Sequence, residues 1–368
     1  MMMILSTISE ALLYTCFALL MGSYIFSLIP TGFKPDVVVS RSTKHIAVIG
    51  IALFSFMPLI NILTFLYADY GLSQSLQSVL LTFEVGKAWL FTFILTIILG
   101  LFIFFFDHKN SKAYSIVGCV LVFLLILGLA WTSHARAVYG WQGFITHVLH
   151  FAAVVIWVGL LLVASWFSKN KDNWLRFLSW FHLTAIGCFV IISITGLVLM
   201  SYTMELTDYP NTWMISYGQS LLIKHLLIIP LIGYAFINGI LMKRKLRAHS
   251  DLDPRPWTKI EFVLILLIFA ATAAMGQQSP PLNLASILNF EGISPLFGQF
   301  YTGPVNADIT VQLAFQGYGL LLVGLAVIFL VLSILSFFRK MHPLFSFIMS
   351  VLAVISSYLG LMLSVQVI

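Results

Sequence analysis

The chain has 368 residues, of which 60% are hydrophobic and only 9% charged, and its formal net charge is +6. So few charges cannot solvate the surface of a water-soluble protein of this size, so lipid is the solvent for most of it. Lipid offers the backbone no water, which leaves helices or a closed barrel as spanning structures. Unbroken apolar runs such as Ile191 to Met200 lack the alternation of barrel strands. The expected fold is an all-α polytopic transmembrane bundle.

An apolar run of roughly 20 residues crosses a ~30 Å hydrocarbon core. Ten such spans follow in chain order, near 5–29, 45–67, 87–106, 114–133, 142–167, 175–201, 213–241, 258–276, 310–338 and 344–366. They divide into an amino-terminal three-span segment (1–113), a five-span core expected to bear the site (114–285), and an external loop with two closing spans (286–368). The first run is too long for a cleavable signal and lacks a basic leading region. With both termini outside the cytoplasm, sixteen of the nineteen Lys and Arg fall in cytoplasmic loops, as the positive-inside rule requires. The +6 charge then has its source in these loops, and no nucleic-acid partner is expected. The longest connection, about 277–309, is rich in Pro, Asn and Gly and is expected outside, as a lid or a loose loop.

Polar groups inside a membrane are costly, so each marks a site hypothesis. His45, His108, His249 and His342 lie at or near cytoplasmic loops, where a solvated interfacial role suffices. His134, His147, His150, His182 and His225 belong to spans four to seven or their outer edge. His147 and His150 are three apart and share a helix face, roughly 9 and 14 Å below the outer end of their span, and His225 enters from outside to roughly 18 Å. His134 stands at the outer mouth, whereas His182 enters from the cytoplasmic side. Four histidines from three helices are therefore expected to converge on the outer half of the bundle. Imidazole is the commonest protein ligand of copper, zinc and haem iron; a lone histidine serves as well as a helix–helix hydrogen bond.

Met200 and Met204 are one turn apart at the outer end of span six, and Met214 opens span seven across the loop. Thioethers select Cu(I) over harder cations, although methionine is also a common packing residue. Lys224 is the most anomalous charge, near mid-membrane beside His225, with Tyr217 seven residues earlier on the same face. It is expected either as a neutral amine or as the partner of an anionic cofactor group. Glu261 is expected to pair with a basic loop residue. Cys16, Cys119 and Cys188 are far apart, form no metal signature and suit small apolar packing.

In order, these residues resemble the CopD copper-resistance family of bacterial membrane proteins, over roughly 130–285. His150-x6-Trp157-x-Gly159 is similar to that family's H-x6-W-x-G helix. Arg176-Phe177 with Thr195-Gly196 resembles its R-F…[ST]-G helix. Tyr217-Gly218-x2-Leu221-Leu222-x-Lys224 with Asn238 resembles its Y-G-x2-L-L-x-K…N helix, and Glu261 with Pro280-Pro281 resembles the close of the domain. The resemblance implies copper handling in the cytoplasmic membrane, as transport or as supply to cuproenzymes. His147 stands where relatives often carry an acid, and no soluble copper-binding β-domain is fused, so a separate extracytoplasmic copper chaperone is the implied partner.

Three functions follow. In a copper transporter, Met200, Met204 and Met214 gather Cu(I), and His134, His147, His150 and His225 pass it inward, with Trp157, Tyr217, Lys224 and His182 in support; no enzymatic activity is expected. In a b-type haem redox protein, histidines of spans four to seven hold iron. In a scaffold, the polar residues only join helices. No nucleotide-binding loop is present, which argues against a primary pump.

Overall fold

The computed structural model describes residues 1–106, 111–248, 252–303 and 309–368; His108 and His249, read above as loop residues, lie outside them, as does Lys109, one of the sixteen basic residues placed in cytoplasmic loops. Serine hydroxyls start several helices by accepting a free backbone N–H of the first turn: Ser40 from Thr43, Ser111 from Tyr114 and Ser133 from Arg136. Among the described residues, ten helical stretches are long and apolar enough to cross a membrane, corresponding one for one with the ten expected spans.

The chain divides into two compact units, Met1–Tyr202 and Thr203–Ile368. The first contains α1 (Met2–Leu28), α2 (Arg41–Phe54), α3 (Met57–Leu81), α4 (Glu84–Phe106), α5 (Lys112–Trp131), α6 (His134–Phe167) and α7 (Trp174–Ser201). The expected span at 45–67 is broken at Ser55-Phe56 between α2 and α3. Its core joins Phe17, Tyr24, Ile51, Leu99, Val122, Phe151 and Val155. Helices α1 and α6 cross backbone to backbone at Gly22 and Gly159: a Cβ on Gly159 would stand 2.3 Å from the Ala18 carbonyl oxygen, and one on Gly22 would stand 2.2 Å from that of Gly159. Such small-residue crossings let membrane helices gain van der Waals contact where no hydrophobic effect drives them together. One basic residue turns inward: buried Lys44 lies over the rings of Tyr24 and Tyr114, at 5.4 and 5.2 Å.

The second unit contains α8 (Ser216–Phe236), a π-helical turn (Ile237–Leu241), α9 (Met242–Ala248), α10 (Arg255–Gly276), α11 (Leu284–Glu291), β1 (Val311–Leu313), α12 (Gly317–Phe338), α13 (Pro343–Leu363) and β2 (Val365–Val367). Here two expectations are corrected. The ninth span does not begin at 310: its first residues alternate as Thr-Val-Gln-Leu and form β1, antiparallel to β2, with Val311 opposite Val367 and Leu313 opposite Val365. The helix starts at Gly317, where the chain turns at φ +51°, a conformation glycine adopts without strain. The described part of the long connection is not a loose loop either. It carries α11, its Ser294 N–H donates to the Met214 carbonyl at 2.7 Å, and its Phe297 and Leu288 pack with Trp213, Met214 and Leu222.

The orientation has a direct check. A reporter fused after Leu246 is expected to read cytoplasmic and one after Asn289 external; the same reading from both would remove the ten-span topology.

Candidate functional site

In the first unit α6 carries the candidate residues His134, His147 and His150. Its opening residues do not continue straight into the span. Tyr139 and Gly140 leave helical geometry, Gly140 at φ +55°, and the preceding turn folds back so far that a Cβ on Gly143 would lie 1.9 Å from the Ala135 carbonyl oxygen. This kink brings His134, which is exposed, within electrostatic reach of His147. Beside it Arg136 lies 3.5 Å over the Trp131 ring, and the Trp131 indole N–H donates to Glu84 at 3.3 Å.

His147 stacks along Phe151, centroids 6.4 Å apart, and its buried Nδ1 has no hydrogen-bond partner. Phe151 also meets Tyr14 of α1 at 5.4 Å, and the Tyr14 hydroxyl donates to Glu10. Glu10 and Tyr14 thus join the His147 neighbourhood, although neither stood out in the sequence: a glutamate near a chain terminus reads as an interfacial charge.

His150 is held by α7. Its Nδ1 is 3.0 Å from Thr195 Oγ1, and a Cβ on Gly196 would be 3.4 Å from its Cε1. The threonine hydroxyl has one hydrogen, which it donates to the Ile191 carbonyl at 2.6 Å. Toward the imidazole it can only accept. His150 therefore carries its proton on Nδ1, and Nε2 keeps the lone pair. In the neutral ring the second nitrogen is the acceptor one, the atom through which an imidazole oriented by an outer partner ligates metal. Seven residues on, Trp157 is buried with its indole N–H unpartnered and its ring edge-on to Phe189. His182 lies farther along α7, thirteen residues from Thr195 or roughly 20 Å at 1.5 Å per residue, well away from His150.

In the second unit Lys224 and His225 are neighbours on α8, and their charges interact. No hydrogen bond or ion pair joins Lys224 to another described residue. His225 Nδ1 pairs with the Tyr209 hydroxyl at 2.8 Å; burial pushes that phenol up to about 12, so it stays protonated at neutral pH. Tyr217 shares a hydrogen bond with Thr203. Met204 is 8% exposed and Met214 fully buried, the latter in the apolar cluster beneath α11, where its thioether packs; Met200 is partly buried at the end of α7. Glu261 is corrected: it pairs with Asn238 rather than a basic residue.

Among the described residues no three of the His, Cys, Asp and Glu side chains gather closely enough to hold one ion. The haem alternative needs two imidazoles at matching depth on facing helices. Within the first unit His134 and His147 share α6 with His150, His182 is far along α7, and His45 bonds its own Arg41 carbonyl at 2.9 Å. Among the described residues of the first unit no second imidazole therefore pairs with His150 as a haem axial ligand, and the other member of the expected pair, His225, belongs to the second unit.

The fold and its intramembrane polar groups define a multi-pass helical protein of the cytoplasmic membrane. The chain belongs to the CopD copper-resistance family: the model described as copper resistance protein D matches residues 175–275, and the one described as copper resistance protein D-like, N-terminal domain, matches 1–144. His147, His150 and Trp157 fall between these regions, whereas Thr195 and Gly196 fall inside the first. The chain is also similar to inner membrane protein YebZ of Escherichia coli (strain K12), 25% identical over 215 residues that cover 53% of this chain and 70% of that protein. No solved structure matches the chain.

Proposed function

We propose that the protein carries copper, as Cu(I), inward across the cytoplasmic membrane, and that it is a carrier rather than an enzyme. One observation supports this most: Thr195, its own proton given to the Ile191 carbonyl, accepts from His150 Nδ1, so that Nε2 is the nitrogen suited to ligate copper. His147 Nδ1 supplies a second buried nitrogen one turn away, and His134 a third at the mouth. Such a row suits transit. Cargo must leave each station, so ligands in sequence serve better than a closed cage, and soft Cu(I) is the first-row ion most content with few nitrogen and sulfur donors. In the second unit His225, steadied by Tyr209, is the corresponding station. Met200 and Met204 gather the ion at the outer mouth, where a separate copper chaperone delivers it.

Copper accumulation in cells that express the chain tests this. Changing Met200 and Met204 together to leucine keeps apolarity and helix propensity while removing both sulfurs. Accumulation at limiting copper is expected to fall severalfold with expression unchanged, and an unaltered rate returns both residues to packing. The purified protein is expected to bind copper and to show no Soret band; a Soret band would replace copper transport by haem chemistry.

A further inference from the structure

The second unit contains a buried polar centre that the copper reading does not use. Glu261 of α10 is 3% exposed and Asn238, within the π-helical turn, is 4% exposed. Asn238 Nδ2 donates to Glu261 Oε2 at 2.7 Å and to the Trp257 carbonyl at 3.4 Å, while the amide's Oδ1 is buried with no donor. One turn before Asn238, Tyr234 lies within electrostatic reach of Glu261. Its hydroxyl donates to Ser346 at 2.9 Å, and Ser346 and Ser350 meet Ser333 at 2.8 and 3.0 Å. Five helical elements thus supply one carboxyl, one phenol, one amide and three hydroxyls, all buried.

Among the described residues no cation pairs with that carboxyl. Of the basic groups nearby, Lys245 is turned to the Phe337 carbonyl at 2.7 Å and Arg255 grips Asp253 at 2.7 Å. Lys259, Arg339 and Lys340 form no ion pair with Glu261, and the groups of α12 and α13 that hydrogen-bond in the centre are the hydroxyls of Ser333, Ser346 and Ser350. A buried charge that is neither paired nor amply hydrogen-bonded is strongly unfavourable, so such a carboxyl needs a positive ion for part of any working cycle. A metal ion would need a shell of oxygens, but the contact the carboxylate makes is with an N–H donor. π-Helical turns, moreover, occur often at functional sites.

We propose that Glu261 is a proton-binding site, loaded and unloaded once per transport cycle, with Asn238 as the group that follows its state. The unloaded carboxylate accepts from Asn238 Nδ2 across the 2.7 Å contact. The loaded carboxyl has an O–H to donate, and rotation of the amide offers it Oδ1, the acceptor that otherwise lacks a donor. The chain has no nucleotide-binding loop, so a proton gradient is the driving force that this centre can tap.

The full-length protein in native membrane vesicles is treated with dicyclohexylcarbodiimide, which modifies protonated carboxyls in apolar surroundings, and the adduct is mapped by peptide mass spectrometry. Labelling of Glu261 is expected, falling at least tenfold from acid to alkaline pH, and Na⁺ at constant ionic strength is expected to give no protection. Asn238→Leu is expected to move the midpoint by at least about one pH unit. Infrared difference spectra between acid and alkaline pH should show a carboxylic-acid band that Glu261→Gln removes. Labelling that ignores pH overturns the proposal, as does protection by Na⁺. Absence of both the adduct and the infrared band in the wild-type chain overturns it without relying on any variant. Neither readout involves copper, so this proposal can fail while the copper reading stands, and the reverse.

Discussion

Replacing His150 by glutamine is expected to bring copper accumulation through the protein down to background while the chain still inserts and purifies as a folded species. Glutamine can keep a hydrogen bond to Thr195 Oγ1, which now accepts from Nδ1 at 3.0 Å, so the join between α6 and α7 survives. What disappears is the Nε2 lone pair. Thr195→Val separates orientation from ligation. It is nearly the same shape and removes the acceptor that fixes the tautomer, and outer-shell partners of this kind are worth about 10- to 100-fold in metal affinity. Gly196→Ala serves as the control, because its methyl would meet His150 Cε1 at 3.4 Å, an ordinary contact. Copper bound per protein, measured on purified material, should therefore rank wild type with Gly196→Ala, then Thr195→Val, then His150→Gln. Full copper content in His150→Gln would remove this residue from the path and leave the His225 side to be tested alone.

Gly159→Val is expected to prevent folding of the first unit altogether. Overpacking a core costs about 1–3 kcal/mol when side chains can shift. Here the obstacle is backbone, with the Ala18 carbonyl oxygen 2.3 Å and the Gly22 nitrogen 2.8 Å from the new Cβ. The two helices must separate, and Phe17, Tyr24, Phe151 and Val155, which pack along the same crossing, lose their contacts together. The loss therefore exceeds ~3 kcal/mol and appears as failure to recover a monodisperse species in detergent. Gly187→Val, on a helix position with nothing within 4 Å, should behave as wild type. Equal recovery of both variants would show that the α1–α6 crossing does not hold the unit together.

Several features were legible in the residues alone. The ten spans were fixed by transfer free energy, which depends on the run of side chains and not on what they meet. The His147–His150 pair was legible for a similar reason, since a helix places residues three apart on one face whatever surrounds it. The resemblance to the CopD family also rested on local strings, and Thr195-Gly196 was among them. Its meaning was not visible there. A threonine in an apolar helix reads as a hydroxyl returned to its own backbone, and Thr195 does bond the Ile191 carbonyl; that the same oxygen also receives His150 depends on which face α7 turns to α6.

The same limit explains the rest. Glu261 was assigned a basic partner because loops near it are basic, yet the π-helical turn brings Asn238 to it from 23 residues away. Met214 shared the chemistry of Met200 and Met204, but the connection through α11 packs over it and makes its thioether part of an apolar cluster. The β1 segment was counted within a span because its apolar residues outweighed its alternation, and its partner β2 lies at the far end of the chain. Sequence alone determined that this protein lives in lipid, how many times its helices can cross, and which polar residues sit at a cost there. Only the tertiary structure decided what each of those residues touches, because membrane helices choose their faces by packing and hydrogen bonds between residues distant in sequence, and no local pattern records that choice.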